Sequence, residues 1–336
     1  MTPLIVLLIL VIIVALLFEY INGFHDSANA IATVVATKVL TPKTAVIYGA
    51  ALNFVGAFSG THVAKTISSG ILTVDNTTQT VILCALLGAI IWNLITWYYG
   101  IPSSSSHALI GGLLGAGVIK YGLNVVNVEK ITEKVIIPMI SSPVLGLLIG
   151  FFFMLLLLWL FFKANPQIVN KHFRRLQLLS SGIMAFSHGS NDAQKTMGII
   201  TLALFSFGAI EAHDVPVWVI FICALMMGLG TMAGGWKIIR TMGNKVAKLK
   251  PIHGFAAETS AASIILTASH FGIPISTTHV ISTSIMGVGS TLRFNAVKWG
   301  LVGNIVMAWV ITIPACMMLS ALIYLGISHI SFIAGY

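Results

Sequence analysis

Long apolar runs, neither alternating nor one-sided, set the pattern of this chain. From Leu4 to Phe18 every side chain is apolar. No Asp, Glu, Lys or Arg occurs in the 44 residues between Asp75 and Lys120, the 28 between Lys134 and Lys163, the 22 between Asp214 and Lys237, or the 34 between Glu258 and Arg293. The last 38 residues, after Lys298, carry none either. A membrane-spanning helix needs about 20 apolar residues, so some gaps hold one span and others two. A membrane β-barrel would show short segments alternating with period two instead. The first half divides into five passages: 4–36 (broken near Gly23), 44–64, 80–99, 101–119 and 135–162. The expectation is an all-α, polytopic membrane protein of about ten to twelve transmembrane helices, some broken or re-entrant.

The runs also repeat. Residues 100–107 read GIPSSSSH and residues 272–279 read GIPISTTH, an offset of 172 that also pairs Gly56 with Gly228 and Lys65 with Lys237. Upstream, NGFHDSANA at 22–30 and HGSNDAQKT at 188–196 align Asp26 with Asp192 at an offset of 166. Two markers in the same order define two repeats, 1–162 and 176–336, joined by a short basic linker at 163–175. An odd number of passages per repeat turns the second repeat upside down. Inverted repeats with interrupted helices characterise secondary transporters, which exchange the roles of two halves when the site changes sides.

Composition and charge sharpen this. The 336 residues include 18 basic and nine acidic ones, 8% charged, with 57% hydrophobic residues and a mean hydropathy of +0.98. Ordinary soluble domains carry about 25% charged residues, so a soluble fold, a disordered chain and a wet-faced solenoid are excluded. The net charge of +9 does not mark a nucleic-acid binder, because the basic residues sit between spans. Thirteen of them fall in 37–43, 163–175, 236–251 and 292–298, and four (Lys65, Lys120, Lys130, Lys134) on the opposite side. By the positive-inside bias, both termini lie outside. The 208–215 loop, with Glu211, Asp214 and no basic residue, lies outside too. The apolar N-terminal run lacks a basic leader and a cleavage site, so it is the first span rather than a removed signal. Cys84, Cys223 and Cys316 sit in apolar segments without metal spacing and read as core residues.

The breaks carry the chemistry. Proline ends a helix before it and starts one well, so each Gly-Ile-Pro places the hydroxyls behind it on the opening turn of a new helix. These are Ser103, Ser104, Ser105 and Ser106 in one repeat and Ser276, Thr277 and Thr278 in the other. Free N–H groups and the positive end of the helix dipole gather there, which makes a site for a small oxyanion without arginine. Asp26 and Asp192 lie at the other expected breaks, with Asn29 one turn after the first and Asn191 beside the second. Glu258 sits in the polar patch GFAAETSAAS. Ionised carboxylates inside a bilayer are unfavourable and usually functional. Acids beside an anion site require a cation between them, a metal ion such as Na+ on Asp26 and Asp192 or protons on the carboxyls. His25, His107, His279 and Lys195 are candidates for gating, proton transfer, capping or simple ion pairing. No nucleotide loop, zinc spacing or nucleophile elbow occurs, which argues against an enzyme.

These motifs, with GFAAETSAASIILTASHFGIPISTTH at 254–279, resemble the inorganic phosphate transporter (PiT) family over nearly the whole chain. The resemblance implies an anion site built by both repeats near the bilayer midplane, commonly in a homodimer. It places Asp26, Asn29 and Asp192 on the carboxylate–amide motif, and Ser104, Ser105, Ser106, Ser276, Thr277 and Thr278 on the phosphate-cradling helix starts, with Glu258 the acid of the second repeat. His25 stands where the general pattern has Asn, and the second motif reads NDAQKT where NDVANA is usual. Both departures are similar to the bacterial low-affinity branch, which implies proton coupling and phosphate carried with a divalent metal. The expected protein is a multi-pass phosphate symporter of the plasma (cytoplasmic) membrane, without covalent cofactor or nucleic-acid partner. The competing readings are sodium coupling, a sulfate permease of the same family, an anion channel, and a membrane phosphatase.

Overall fold

The computed structural model describes residues 3–70 and 77–333; Met1, Thr2, 71–76 (with Asp75, which opens the longest uncharged gap) and 334–336 lie outside the described residues. Among the described residues every regular element is helical. In a bilayer each backbone N–H and C=O must find a partner within the chain, which favours helices.

The first half comprises α1 (Pro3–His25), α2 (Ser27–Ala36), α3 (Pro42–Gly56), α4 (His62–Gly70), α5 (Gln79–Tyr99), α6 (Ser105–Tyr121), α7 (Val128–Ile131) and α8 (Ile137–Leu160). The second comprises α9 (Pro166–Phe207), α10 (Val217–Ala233), α11 (Trp236–Arg240), α12 (Pro251–His270), α13 (Thr277–Ser290) and α14 (Trp299–Ile333). Starts follow local chemistry. Thr41 before Pro42 and Asn165 before Pro166 each cap a helix whose first residue is proline.

Several details differ from the sequence expectation. The first passage breaks at Asp26, not Gly23: Asp26 stands between α1 and α2 at φ −92°, ψ 4°. The 44–64 passage is two helices, α3 and α4. At Asp192 there is no break, because α9 runs through it for 42 residues. Most of 163–175 is not a loop, because Pro166 starts α9 and its first turns carry the basic residues.

Four stretches are long and apolar enough to cross a membrane: Pro3–Ala36, Gln79–Tyr99, Val128–Leu160 and Trp299–His329. The pair Val217–Ala233 and Trp236–Gly243, bent by 61°, makes a fifth. The further passages needed for ten to twelve spans fall below that criterion for a physical reason. α6 and α13 are shortened by starting at a break, and α9 carries charge at its centre.

Apolar packing forms two large clusters. One joins α1, α4, α5, α6, α10 and the later part of α9. The other joins α2, α3, α8, α11, α12, α13 and the early part of α9. Between them along α9 lies a buried polar stretch containing Ser187, His188, Ser190, Asn191 and Asp192. Helices beside it cross at backbone distance. A Cβ on Gly189 would stand 2.1 Å from the Asn53 carbonyl oxygen, and one on Gly56 the same distance from that of Phe186. Only glycine lets α3 and α9 lie this close.

Candidate functional site

Both Gly-Ile-Pro segments fold alike. Gly100 (φ +67°) and Gly272 (φ +64°) end the preceding helices in the left-handed region. The next N–H groups, of Ile101 and Ile273, return to the carbonyls of Thr96 (2.9 Å) and Ala268 (2.8 Å). Four residues later a new helix opens. Ser104 Oγ accepts from the His107 N–H at 3.2 Å, and Ser276 Oγ from the His279 N–H at 3.3 Å. These two hydroxyls therefore cap α6 and α13.

The hydroxyls after the caps meet the acids. Ser105 donates to Asp26 Oδ2 (3.3 Å) and Thr278 to Asp26 Oδ1 (3.4 Å). Thr277 donates to Asp192 Oδ2 at 3.2 Å. Asn29 Nδ2 reaches both threonine hydroxyls, at 3.2 Å and 2.9 Å. Residues 248 or more apart in sequence thus close one polar cluster of α1, α2, α6, α9 and α13, all buried. Ser106 instead donates to the Ile275 carbonyl at 3.3 Å.

The basic groups surround this cluster. His25 Nδ1 lies 2.6 Å from Asp26 Oδ1, and its Nε2 lies 3.0 Å from Thr96 Oγ1. Lys195 Nζ donates to Asp192 Oδ1 (2.7 Å) and to the Ile275 carbonyl (3.0 Å). His188, one turn before Asp192, brings Nε2 to 3.4 Å from Asp192 Oδ2, while its Nδ1 meets Asn53 Oδ1 at 3.1 Å. Asp26, His188 and Asp192 each present one ligand atom, all within 4.8 Å of one another, a set able to hold a metal ion. An imidazole with two carboxylates suits a borderline divalent metal better than a purely hard one.

Four sequence candidates, Asn191, Glu258, His107 and His279, lie apart from this cluster. Asn191 donates to Ser269 Oγ (2.8 Å), tying α9 to the end of α12. Glu258 is bound by Thr33, Gln177 and Ser180. Thr33 is seven residues beyond Asp26, about two helical turns, so Glu258 occupies a separate buried layer. His107 and His279 face one another, ring centroids 4.9 Å apart, with His279 stacked on Trp309 at 4.0 Å. His188 and Asn53 also belong to the site's wall; the four-residue step from His188 to Asp192 is the signal the sequence offers for the first. Glu19, bound by Thr196, is a further buried acid that sequence reasoning missed. It sits at the end of an apolar run, which hid it.

Comparison with known proteins is consistent along the chain. The model of the phosphate transporter family matches residues 22–320. A protein of Rhizobium meliloti (strain 1021), named "Probable low-affinity inorganic phosphate transporter", is 48% identical over 95% of this chain and 96% of its own. A protein of the same name from Bacillus subtilis (strain 168) is also 48% identical, over 96% and 98%. A solved structure titled "The sodium-dependent phosphate transporter" superposes with a TM-score of 0.89 at 28% identity, covering 97% of this chain and 100% of that one.

Proposed function

The chain belongs to the phosphate transporter family, and we propose that it imports inorganic phosphate by proton symport with alternating access. It is a transporter and not an enzyme. One observation carries the coupling reading: hydroxyls at the starts of α6 and α13 are bonded directly to Asp26 and Asp192. Anion cradle and acids are therefore one site. HPO4 2− would take the N–H and hydroxyl donors of both helix starts, where the dipoles favour negative charge. Asp26 and Asp192 would hold the compensating cation or protons. Binding both permits the swing between sides; the anion alone leaves uncompensated negative charge in a low-dielectric interior and stalls it.

A second reading has support of its own. The structural neighbour's title calls it sodium-dependent, and Asp26 and Asp192 bring carboxylate oxygens, the ligands a hard cation takes, within 4.8 Å of each other. Under that reading Na+ loads the acids. A divalent metal travelling with phosphate would be cargo. The plasma membrane, the two halves as inverted repeats with termini outside, and a homodimer complete the proposal; the family resemblance supports the last.

The test is labelled phosphate uptake in proteoliposomes under imposed pH or Na+ gradients, with and without Mg2+. Proton coupling predicts uptake driven by the pH gradient and collapsed by a protonophore. Competition by sulfate at equal concentration would favour the sulfate reading. Asp26→Asn and Asp192→Asn are expected to abolish coupled uptake while leaving a folded protein; wild-type uptake by either would refute the assignment.

A further inference from the structure

The two acids are not held alike, and the difference lies three residues after each. Asn29 follows Asp26 and Lys195 follows Asp192 by the same step, one turn on and on the acid's own helix face. Asn29 is neutral, and its amide serves the threonine hydroxyls of α13. Lys195 is basic, with a side chain only 2% exposed. Its ammonium sits between Asp192 Oδ1 at 2.7 Å and the Ile275 carbonyl at 3.0 Å. A carboxylate oxygen and a backbone carbonyl oxygen are the donors a hard metal cation takes. Ile275 immediately precedes the cap of α13, so the charge rests at the mouth of the anion cradle. On the other side, the side-chain partners of Asp26 among the described residues are His25, Ser105 and Thr278, with no lysine or arginine.

We propose that Lys195 is a tethered cation that takes the place of one coupling metal ion, leaving only the Asp26 side to be loaded by a mobile cation. The inference rests on the symport reading above. A covalently attached ammonium neutralises Asp192 in every cycle, independent of ion concentration. The chain then needs one mobile cation fewer per phosphate than it would with an amide at position 195. The difference between the halves, one loaded permanently and one loaded from solution, is written into a single side chain.

Restoring the amide tests this. Initial rates of labelled phosphate uptake would be compared in Na+ and in choline, at one fixed pH, for wild type, Lys195→Asn and Lys195→Gln in proteoliposomes. The expected result is a Na+-to-choline rate ratio about tenfold higher in the variants than in wild type, within the usual range of coupling between ligands. An unchanged ratio overturns the proposal. For a variant without measurable uptake, thermal stabilisation by inorganic phosphate is read in the two salts. Stabilisation that requires Na+ supports the tethered cation; stabilisation indifferent to Na+, or absent in both variants and both salts, overturns it. Wild-type uptake that follows a Na+ gradient would instead remove the proton-coupling reading, and the variant-to-wild-type difference would still decide the role of Lys195.

Discussion

At Thr277 one hydroxyl serves both halves of the site. It accepts from Asn29 and donates to Asp192, each at 3.2 Å. Thr277→Val keeps the shape and removes both bonds. With a net value of about 0.5–1.5 kcal/mol per hydrogen bond, more when a charged group is involved, the expected outcome is a roughly tenfold rise in KM for phosphate uptake. Ser104 was an equal candidate in the sequence, but its hydroxyl faces its own helix backbone. Ser104→Ala should therefore act mainly on stability, removing a cap of about 1 kcal/mol and lowering Tm by a few degrees, with a smaller KM change than Thr277→Val. Equal KM effects would return Ser104 to the cradle. The hydroxyl clusters were legible as helix starts; which hydroxyl caps its own helix and which meets the acids depends on where each points, and that is set by the turn, not by residue type.

Helices position these groups through close crossings. α3 and α9 meet at Gly56 and Gly189, and the same contact carries the bond from His188 Nδ1 to Asn53 Oδ1. Gly189→Ala would push a methyl into the Asn53 backbone, and overpacking of this kind destabilises by about 1–3 kcal/mol. The expected outcome is lower folded yield and lower Tm. Gly303, within α14, has nothing within 4 Å of a built Cβ, so Gly303→Ala should be neutral or slightly stabilising. Comparable losses in both would contradict the crossing argument. The repeat made Asp26 and Asp192 look equivalent, yet one stands at the break between α1 and α2 and the other lies inside a continuous helix. Neither motif contains proline, so nothing local dictated a break. At the first acid, Gly235 N–H of the neighbouring segment donates to Ser27 Oγ at 2.7 Å, a tertiary partner for the broken end.

At the scale of the whole molecule, basic segments far apart in sequence make contacts with other parts of the chain. Arg174 donates to the Lys38 carbonyl at 3.0 Å, and the Lys298 N–H to that of Val246 at 3.1 Å. Elsewhere Lys65 pairs with Asp214 at 2.7 Å, and Lys130 reaches the Ser69 carbonyl at 3.3 Å. The charge bias of the sequence assigns 37–43 and 163–175 to one side and 208–215 to the other. Single cysteines replacing Glu211 and Lys171 should label from opposite sides, the first from outside in intact cells, the second only after permeabilisation. The native cysteines are buried and should stay silent. The Lys65–Asp214 pair also has a pH signature. The hydrogen bond and charge of Lys65 hold the Asp214 carboxyl below its ordinary range. Its contribution is present above the unfolded value of 3.8 and is lost as pH falls through the lower folded value. The two side chains are 51% and 75% exposed, so salt and solvent screen the pair. Lys65→Ala should leave Tm unchanged at neutral pH and physiological salt.

Composition and run length by themselves determined a membrane-embedded helical protein, because apolar side chains that water cannot solvate must meet lipid or one another. Paired motifs located the helix starts and the acids, because Gly, Pro and hydroxyl residues constrain the backbone locally. Tertiary structure decided which of these meet. It joined Thr277 and Thr278 to acids from both halves, set Glu258 in a layer of its own, brought His188 and Asn53 to the wall, and laid Lys195 against the Ile275 carbonyl. Such contacts depend on how helices cross, and crossings are settled by glycine-sized approaches between segments more than a hundred residues apart. No local pattern encodes that distance.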